Sequence, residues 1–238
     1  MKRTTLWHIW LKAVSVLMLG ATVNVNAADT ATWKEEVALH DGKKIIVERS
    51  QSYGGRHEVG QTPPIKEQGI SFTLPGSSKT IIWKSEYGED IGRSNFKLLA
   101  LHILNGTPYI ITTPNLCLSY NKWGRPNPPY VIFKHDGNTW QRIPLTELPL
   151  EFKEINLVVN SKGEKKIIMA QSIVSAELIR KLNRELEQPE FKTILREAVK
   201  GGYGITGCEK MVRVKDGWVS PGGAKAPVPI TPRTPGDV

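Results

Sequence analysis

Residues 33–50 read WKEEVALHDGKKIIVERS. Two runs rich in β-branched and aromatic residues flank Asp41-Gly42, a dipeptide that accepts the positive φ a tight hairpin turn demands. The stretch reads as a β-hairpin, and the same grammar recurs down the chain. Residues 70–74 and 80–83 flank Pro75-Gly76-Ser77-Ser78, 98–104 and 108–112 flank Asn105-Gly106, and 130–135 and 139–143 flank Asp136-Gly137. Residues 156–160 and 165–170 flank Ser161-Lys162-Gly163, and 211–214 precede Asp216-Gly217 and Trp218. The turns supply residues that tolerate φ > 0, and the flanks favour extended backbone. Their spacing is uneven, since Gly42 to Gly106 is 64 residues and Gly106 to Gly137 is 31, so a strict repeat is not indicated. The expected class is mainly β (α+β), an antiparallel hairpin meander or sandwich.

One segment departs from this pattern. Ser175 suits an N-cap, and Ile179, Leu182 and Leu186 fall on one face of a helix running to Glu187. Pro189 then suits the first turn of a second helix, in which Phe191, Ile194, Leu195, Ala198 and Val199 make an apolar stripe closed by Gly201-Gly202. The opposite faces mix Arg180, Arg184, Lys192 and Arg196 with Glu177, Glu185 and Glu197, the pattern of a solvated face. The spacing predicts a helical pair over 175–200 packed on the sheet.

The N-terminus carries Lys2, Arg3 and Lys12, then an apolar run over 13–23, then Val25-Asn26-Ala27 with small residues at the −3 and −1 positions. That order is expected of a secretory signal peptide cleaved after Ala27. An anchor helix would need about 20 apolar residues, and no later stretch reaches that length. The expected organisation is a signal peptide over 1–27, one β-rich domain over 28–218, and a disordered Pro/Gly-rich tail over 219–238. Removing 27 of the 238 residues leaves 211, enough for a real core. Losing Lys2, Arg3 and Lys12 lowers the formal charge from +9 to +6. An exported protein of this charge meets envelope lipids, glycans or protein partners and not nucleic acid. The expected location is the periplasm or the exterior.

Cys117 and Cys208 are an even pair in an oxidising compartment, which suggests a disulfide. Neither sits in a C-x-x-C, and no histidines cluster near either, so neither a redox pair nor a zinc site is indicated.

No constellation with a catalytic spacing is present: there is no G-x-S-x-G, no H-E-x-x-H and no glycine-rich phosphate loop before a helix. No cofactor or metal is expected. His40, His102 and His135 read as strand or strand-end residues. Two loops stand out as binding candidates. Tyr53-Gly54-Gly55-Arg56-His57-Glu58 joins an aromatic, an arginine and a histidine to two glycines that permit close approach. Residues 121–129 are stiffened by Pro126, Pro128 and Pro129 and carry Trp123 and Arg125, residue types enriched at binding hot spots. The candidate ligand or partner-binding residues are therefore Tyr53, Arg56, His57, Trp123 and Arg125. The opposing view of the second loop is that Trp123 covers a sheet edge and Tyr120 plugs the core.

The stretches SYGGRHEVGQTPPIKEQ and LCLSYNKWGRPNPPYVIFKHDGNTWQRIPLTELP resemble a family of uncharacterised exported proteins of Gram-negative bacteria, with no assigned activity. The resemblance covers roughly residues 33–150. It implies an address and a fold unit, and no catalytic residue. The expected function is a non-catalytic binding or accessory module for an envelope component or protein partner. The alternative is an envelope hydrolase built on Arg56, His57 and Glu58, or on Asp90 with Arg56.

Overall fold

The computed structural model of the protein describes residues 30–202 and 204–223. The signal-peptide expectation over 1–27 and most of the expected tail, from 224 onward, lie outside the described residues. Strands β1 (Thr30–Ala38), β2 (Lys44–Tyr53), β3 (Ile65–Thr73) and β4 (Thr80–Ser85) form one antiparallel meander in that order. A short hairpin of β5 (Tyr87–Gly88) and β6 (Arg93–Ser94) leads to the second meander. Its strands are β7 (Phe96–Leu104), β8 (Thr107–Pro114), β9 (Val131–His135) and β10 (Trp140–Ile143), with helix α1 (Leu116–Lys122) inserted after β8. The protein is mainly β, with α+β character.

The two sheets bury apolar surface differently, and the sequence shows why. Along β1, residues at alternate positions are buried, with Ala31, Trp33, Glu35 and Val37 on one face and Thr32, Lys34 and Glu36 on the other. Period-two alternation gives a sheet with one wet face. In β7, FKLLALHIL is almost continuously apolar, and both faces are covered. One face packs Phe96, Leu98 and Leu101 against Val37, Phe72 and Trp83 of the first sheet. The other packs Leu99 and Ala100 against Leu148, Phe152 and Ile155. The first sheet also shares a smaller cluster, in which Ala31 and Trp33 meet Val174, Ile179 and Leu182.

The connector over 155–159 runs through all three clusters, with Leu157 in the first, Ile155 and Val159 in the second and Val158 in the third. Three consecutive backbone donors in it are matched. Leu157 N–H donates to Leu99 O, Val158 N–H to Glu35 Oε2 and Val159 N–H to Asn183 Oδ1. Glu35 is itself part of a fully buried ion pair. Arg49 Nη1 donates to both Glu35 oxygens at 3.0 and 3.2 Å, and the Trp33 indole donates to Oε1 at 2.7 Å. Burial pulls the Arg49 guanidinium down from its ordinary value, and the Glu35 charge pushes it back up.

Two expectations are corrected here. The hairpin expected over 156–170 does not form, because the first arm is claimed by the contacts just described. The second arm instead winds into α2 (Lys165–Met169), with Ile168 its buried residue. The expected helical pair is reduced to one helix, α3 (Ala176–Arg184), capped by Ser175 Oγ accepting from Leu178 N–H. Pro189–Phe191 makes a single 3₁₀ turn, and the stripe beyond it is not helical. Its polar backbone is taken by distant partners. Ile194 N–H donates to Lys153 O, Leu195 N–H donates to Tyr130 Oη, and the Tyr130 hydroxyl faces the carbonyls of Glu190 and Thr193. Ile194, Leu195 and Phe191 still meet the core, as an irregular strap instead of a helix. Burial raises the Tyr130 hydroxyl well above its usual range. The final hairpin, β11 (Val212–Val214) and β12 (Gly217–Val219), ends in a turn closed by Gly223 N–H on Ser220 O, so ordered structure continues past position 218.

Candidate functional site

A cleft of about 640 Å³ opens between three pieces of chain: the β5–β6 turn, the start of α1 and the β11–β12 hairpin. Two glycines bring the first wall together. A Cβ at Gly55 would lie 2.6 Å from Gly92 O, and one at Gly92, where φ is +72°, would lie 2.7 Å from Arg56 Cβ. Only glycine permits so close an approach at both positions. Arg56 N–H donates to Gly92 O at 2.7 Å, and Arg56 Nη2 donates to Glu89 O at 2.8 Å. These bonds set Arg56 on the cleft beside Arg93.

Helix α1 forms the second wall and is docked through Asn95. The Asn95 carbonyl accepts from Asn115 N–H and Ser119 Oγ, and its side-chain oxygen accepts from the Trp123 indole at 3.3 Å. Asn115 Nδ2 also donates to Ser94 O. Between Asn115 and Cys117, Leu116 is held at φ +69° and is 51% exposed. A leucine in this region is strained by contact of its Cβ with the following carbonyl.

The third wall is tied on covalently. Cys117 and Cys208 form a disulfide with an Sγ–Sγ distance of 2.06 Å. Asn121 Nδ2 donates to Glu209 O, and Met211 N–H donates to Asn121 Oδ1. Trp218 is only 5% exposed, and its indole donates to Asp90 O at 3.1 Å.

The cleft combines apolar walls with more cations than carboxylates. Ile91, Leu116 and Trp218 supply apolar surface, while Arg56, Arg93, Arg213 and Lys215 face Glu89, Asp90 and Asp216. Asp90 is already neutralised by Lys122 at 2.8 Å. Arg213 braces its own turn by donating to Gly217 O at 2.8 Å. Arg93 is half-buried, and no carboxylate pairs with it among the described residues. Burial lowers its guanidinium from the ordinary value, and Lys97 is lowered by burial and then by the Arg93 charge. Among the described residues, no group of three or more imidazole, thiol and carboxylate side chains is placed to hold a metal.

The residues expected from the sequence go to different places. Arg56 lines the cleft. His57 turns its Nδ1 to Gly55 O at 2.6 Å, and Glu58 accepts from Gln61, so the two neighbours do not meet. Tyr53 is buried beside Trp33 and Ile179, with its hydroxyl on Gln51 Oε1. Trp123 packs on Phe96 at 4.5 Å and carries the Arg142 guanidinium on its ring. Arg125 donates to Cys208 O at 2.6 Å, Glu209 O at 3.1 Å and Asn121 Oδ1 at 3.1 Å, and lies over the Tyr120 ring. The proline-stiffened loop is thus a clamp on the C-terminal segment. His102 is a core residue stacked on Phe152 at 4.6 Å, with Nε2 donating to Glu154 O. Burial pulls its pKa down to about 4.

Arg93, Leu116 and Trp218 were not singled out by sequence. The signal that pointed to them was Cys117, because a bond to Cys208 brings residues near 216–218 against the start of α1. No family model, no curated protein and no solved structure matches this chain.

Proposed function

We propose that the protein is an exported, non-catalytic binding or accessory module of the cell envelope, and that it holds its ligand or partner in the cleft at Leu116. The observation that carries this reading is Leu116 itself. An apolar side chain is kept half-exposed on a strained backbone, pinned on one side by the Asn115 hydrogen bonds and on the other by the disulfide. Strain of this kind persists where the surroundings over-determine it, and it concentrates at ligand-contacting sites. An envelope address is supported by the signal-like N-terminus, by the disulfide, and by the lack of any helix among the described residues long and apolar enough to cross a membrane. Of the residues named for the hydrolase alternative, His57 and Glu58 each bond within their own loop, whereas Arg56 and Asp90 line the cleft, with Asp90 paired to Lys122.

Affinity capture from an envelope extract tests the reading. Leu116→Glu places a carboxylate in the cleft at an exposed position, so the melting temperature should stay within about 3 °C of wild type. Wild type is expected to retain one or more components that the variant loses. Equal recovery by both proteins would remove the cleft as the binding site.

A further inference from the structure

Resting on the binding-module reading, we infer that the cleft takes an amphiphilic phosphate: a compact phosphomonoester head joined to an apolar body. Two features of the lining divide the labour. On the polar side of the lining, Arg93 is half-buried and has no carboxylate partner among the described residues, and Arg56 is fixed by its N–H on Gly92 O, with only Nη2 of its guanidinium engaged, on Glu89 O. A guanidinium that is partly desolvated and unpaired is an open charge, and forked N–H groups match the oxygens of a phosphate. Of the three carboxylates on the cleft, Asp90 is bound to Lys122 at 2.8 Å, which leaves Glu89 and Asp216 facing four cations, Arg56, Arg93, Arg213 and Lys215. On the apolar side of the lining, Leu116 is 51% exposed and stands with Ile91 and Trp218, which are largely buried. A purely anionic ligand would leave that side wet, and a purely apolar one would bury Arg93 without a counter-charge, which is costly. The cleft volume, about 640 Å³, lies within the range of sites for small molecules.

Titration calorimetry on the disulfide-intact protein separates the possibilities. Decyl phosphate below its micelle concentration is expected to bind at least tenfold more tightly than inorganic phosphate, and decyltrimethylammonium is expected not to bind. Arg93→Gln should weaken decyl phosphate tenfold or more while leaving the melting temperature near wild type. Arg56→Gln should weaken it less, because that side chain keeps one bond to the fold. Leu116→Gly should erode the advantage of decyl phosphate over inorganic phosphate, which reports the apolar wall alone. Equal affinities for wild type and Arg93→Gln, equal affinities for decyl phosphate and inorganic phosphate, or preference for the ammonium amphiphile would each overturn the inference. If envelope capture depends on Leu116 while decyl phosphate fails to bind, the ligand class is refuted and the binding-module reading stands.

Discussion

The two ends of α1 each carry a non-glycine residue in the left-handed region, Leu116 at φ +69° and Arg125 at φ +54°. At the C-terminal end the return on that strain is visible. Gly124, at φ +86°, donates its N–H to Asn121 O, and Arg125 N–H donates to Tyr120 O, the two bonds of a Schellman motif that the left-handed Arg125 then extends. The turn aims the Arg125 guanidinium at the carbonyls of Cys208 and Glu209 and lays it on Tyr120. At the N-terminal end, the backbone is pinned by Asn115 and Cys117, yet the leucine side chain is half-exposed and belongs to none of the core clusters. One strained residue is answered by contacts inside the protein, and the other is not. An arginine in an aromatic, proline-rich loop looked like the binding element, while the proposed contact now sits on a leucine ten positions before the first of those prolines. The difference teaches that residue type alone does not distinguish a clamp from a contact; what each side chain already touches does.

Four variants probe this contrast. The largest effect is expected from Cys117→Ser with Cys208→Ser, which opens a loop spanning a sequence separation of 91. Chemical denaturation should show a loss of about 2–5 kcal/mol, because the unfolded chain is no longer constrained. If the loss is negligible, the Arg125 end alone holds the C-terminal segment and the two ends are not partners. Next comes Arg125→Ala, expected to cost about 2 kcal/mol by stranding carbonyls that now accept from a charged donor. Arg125→Gly should recover about 1 kcal/mol of that by relieving the backbone. No difference between the Ala and Gly variants would mean that the turn is not strained. The smallest effect, and the one of opposite sign, is Leu116→Gly. Relief of the left-handed leucine, offset by the freer unfolded chain, should stabilise by about 0.5–1 kcal/mol in the same assay. A stabilised protein that captures less would separate the end of α1 built for stability from the end built for contact. Destabilisation would show that Leu116 has a packing role.

The hairpins were legible because their signals are local. Asp41-Gly42, Asn105-Gly106 and Asp136-Gly137 each specify a turn by backbone chemistry, and alternation along β1 announces its buried face. The Ser175 cap and the Ile179 and Leu182 face were legible for the same reason. The disulfide followed from parity and compartment. What failed depended on partners far away in sequence. The stripe at 191–199 has helical spacing, but Tyr130 and Lys153 claim its backbone groups. Residues 156–160 have strand composition, but Glu35, Leu99 and Asn183 take their amides. The cleft was the least legible feature, since Arg56, Arg93, Leu116 and Trp218 meet only after the whole chain has closed.

The buried connector at 155–159 has a consequence for the order in which the molecule can be made. Both meanders pair neighbours in sequence, so each hairpin can close as soon as its second strand appears. Until position 159 arrives, however, all three clusters lack a member, and the Glu35 carboxylate lacks the Val158 amide that satisfies it. A chain appearing from its N-terminus, at a ribosome or through a membrane pore, therefore has two thirds of its length available before its interior can shut. Such a chain stays loose for most of its synthesis and tightens late, with the cleft assembled last of all when residues 208–218 arrive to meet α1.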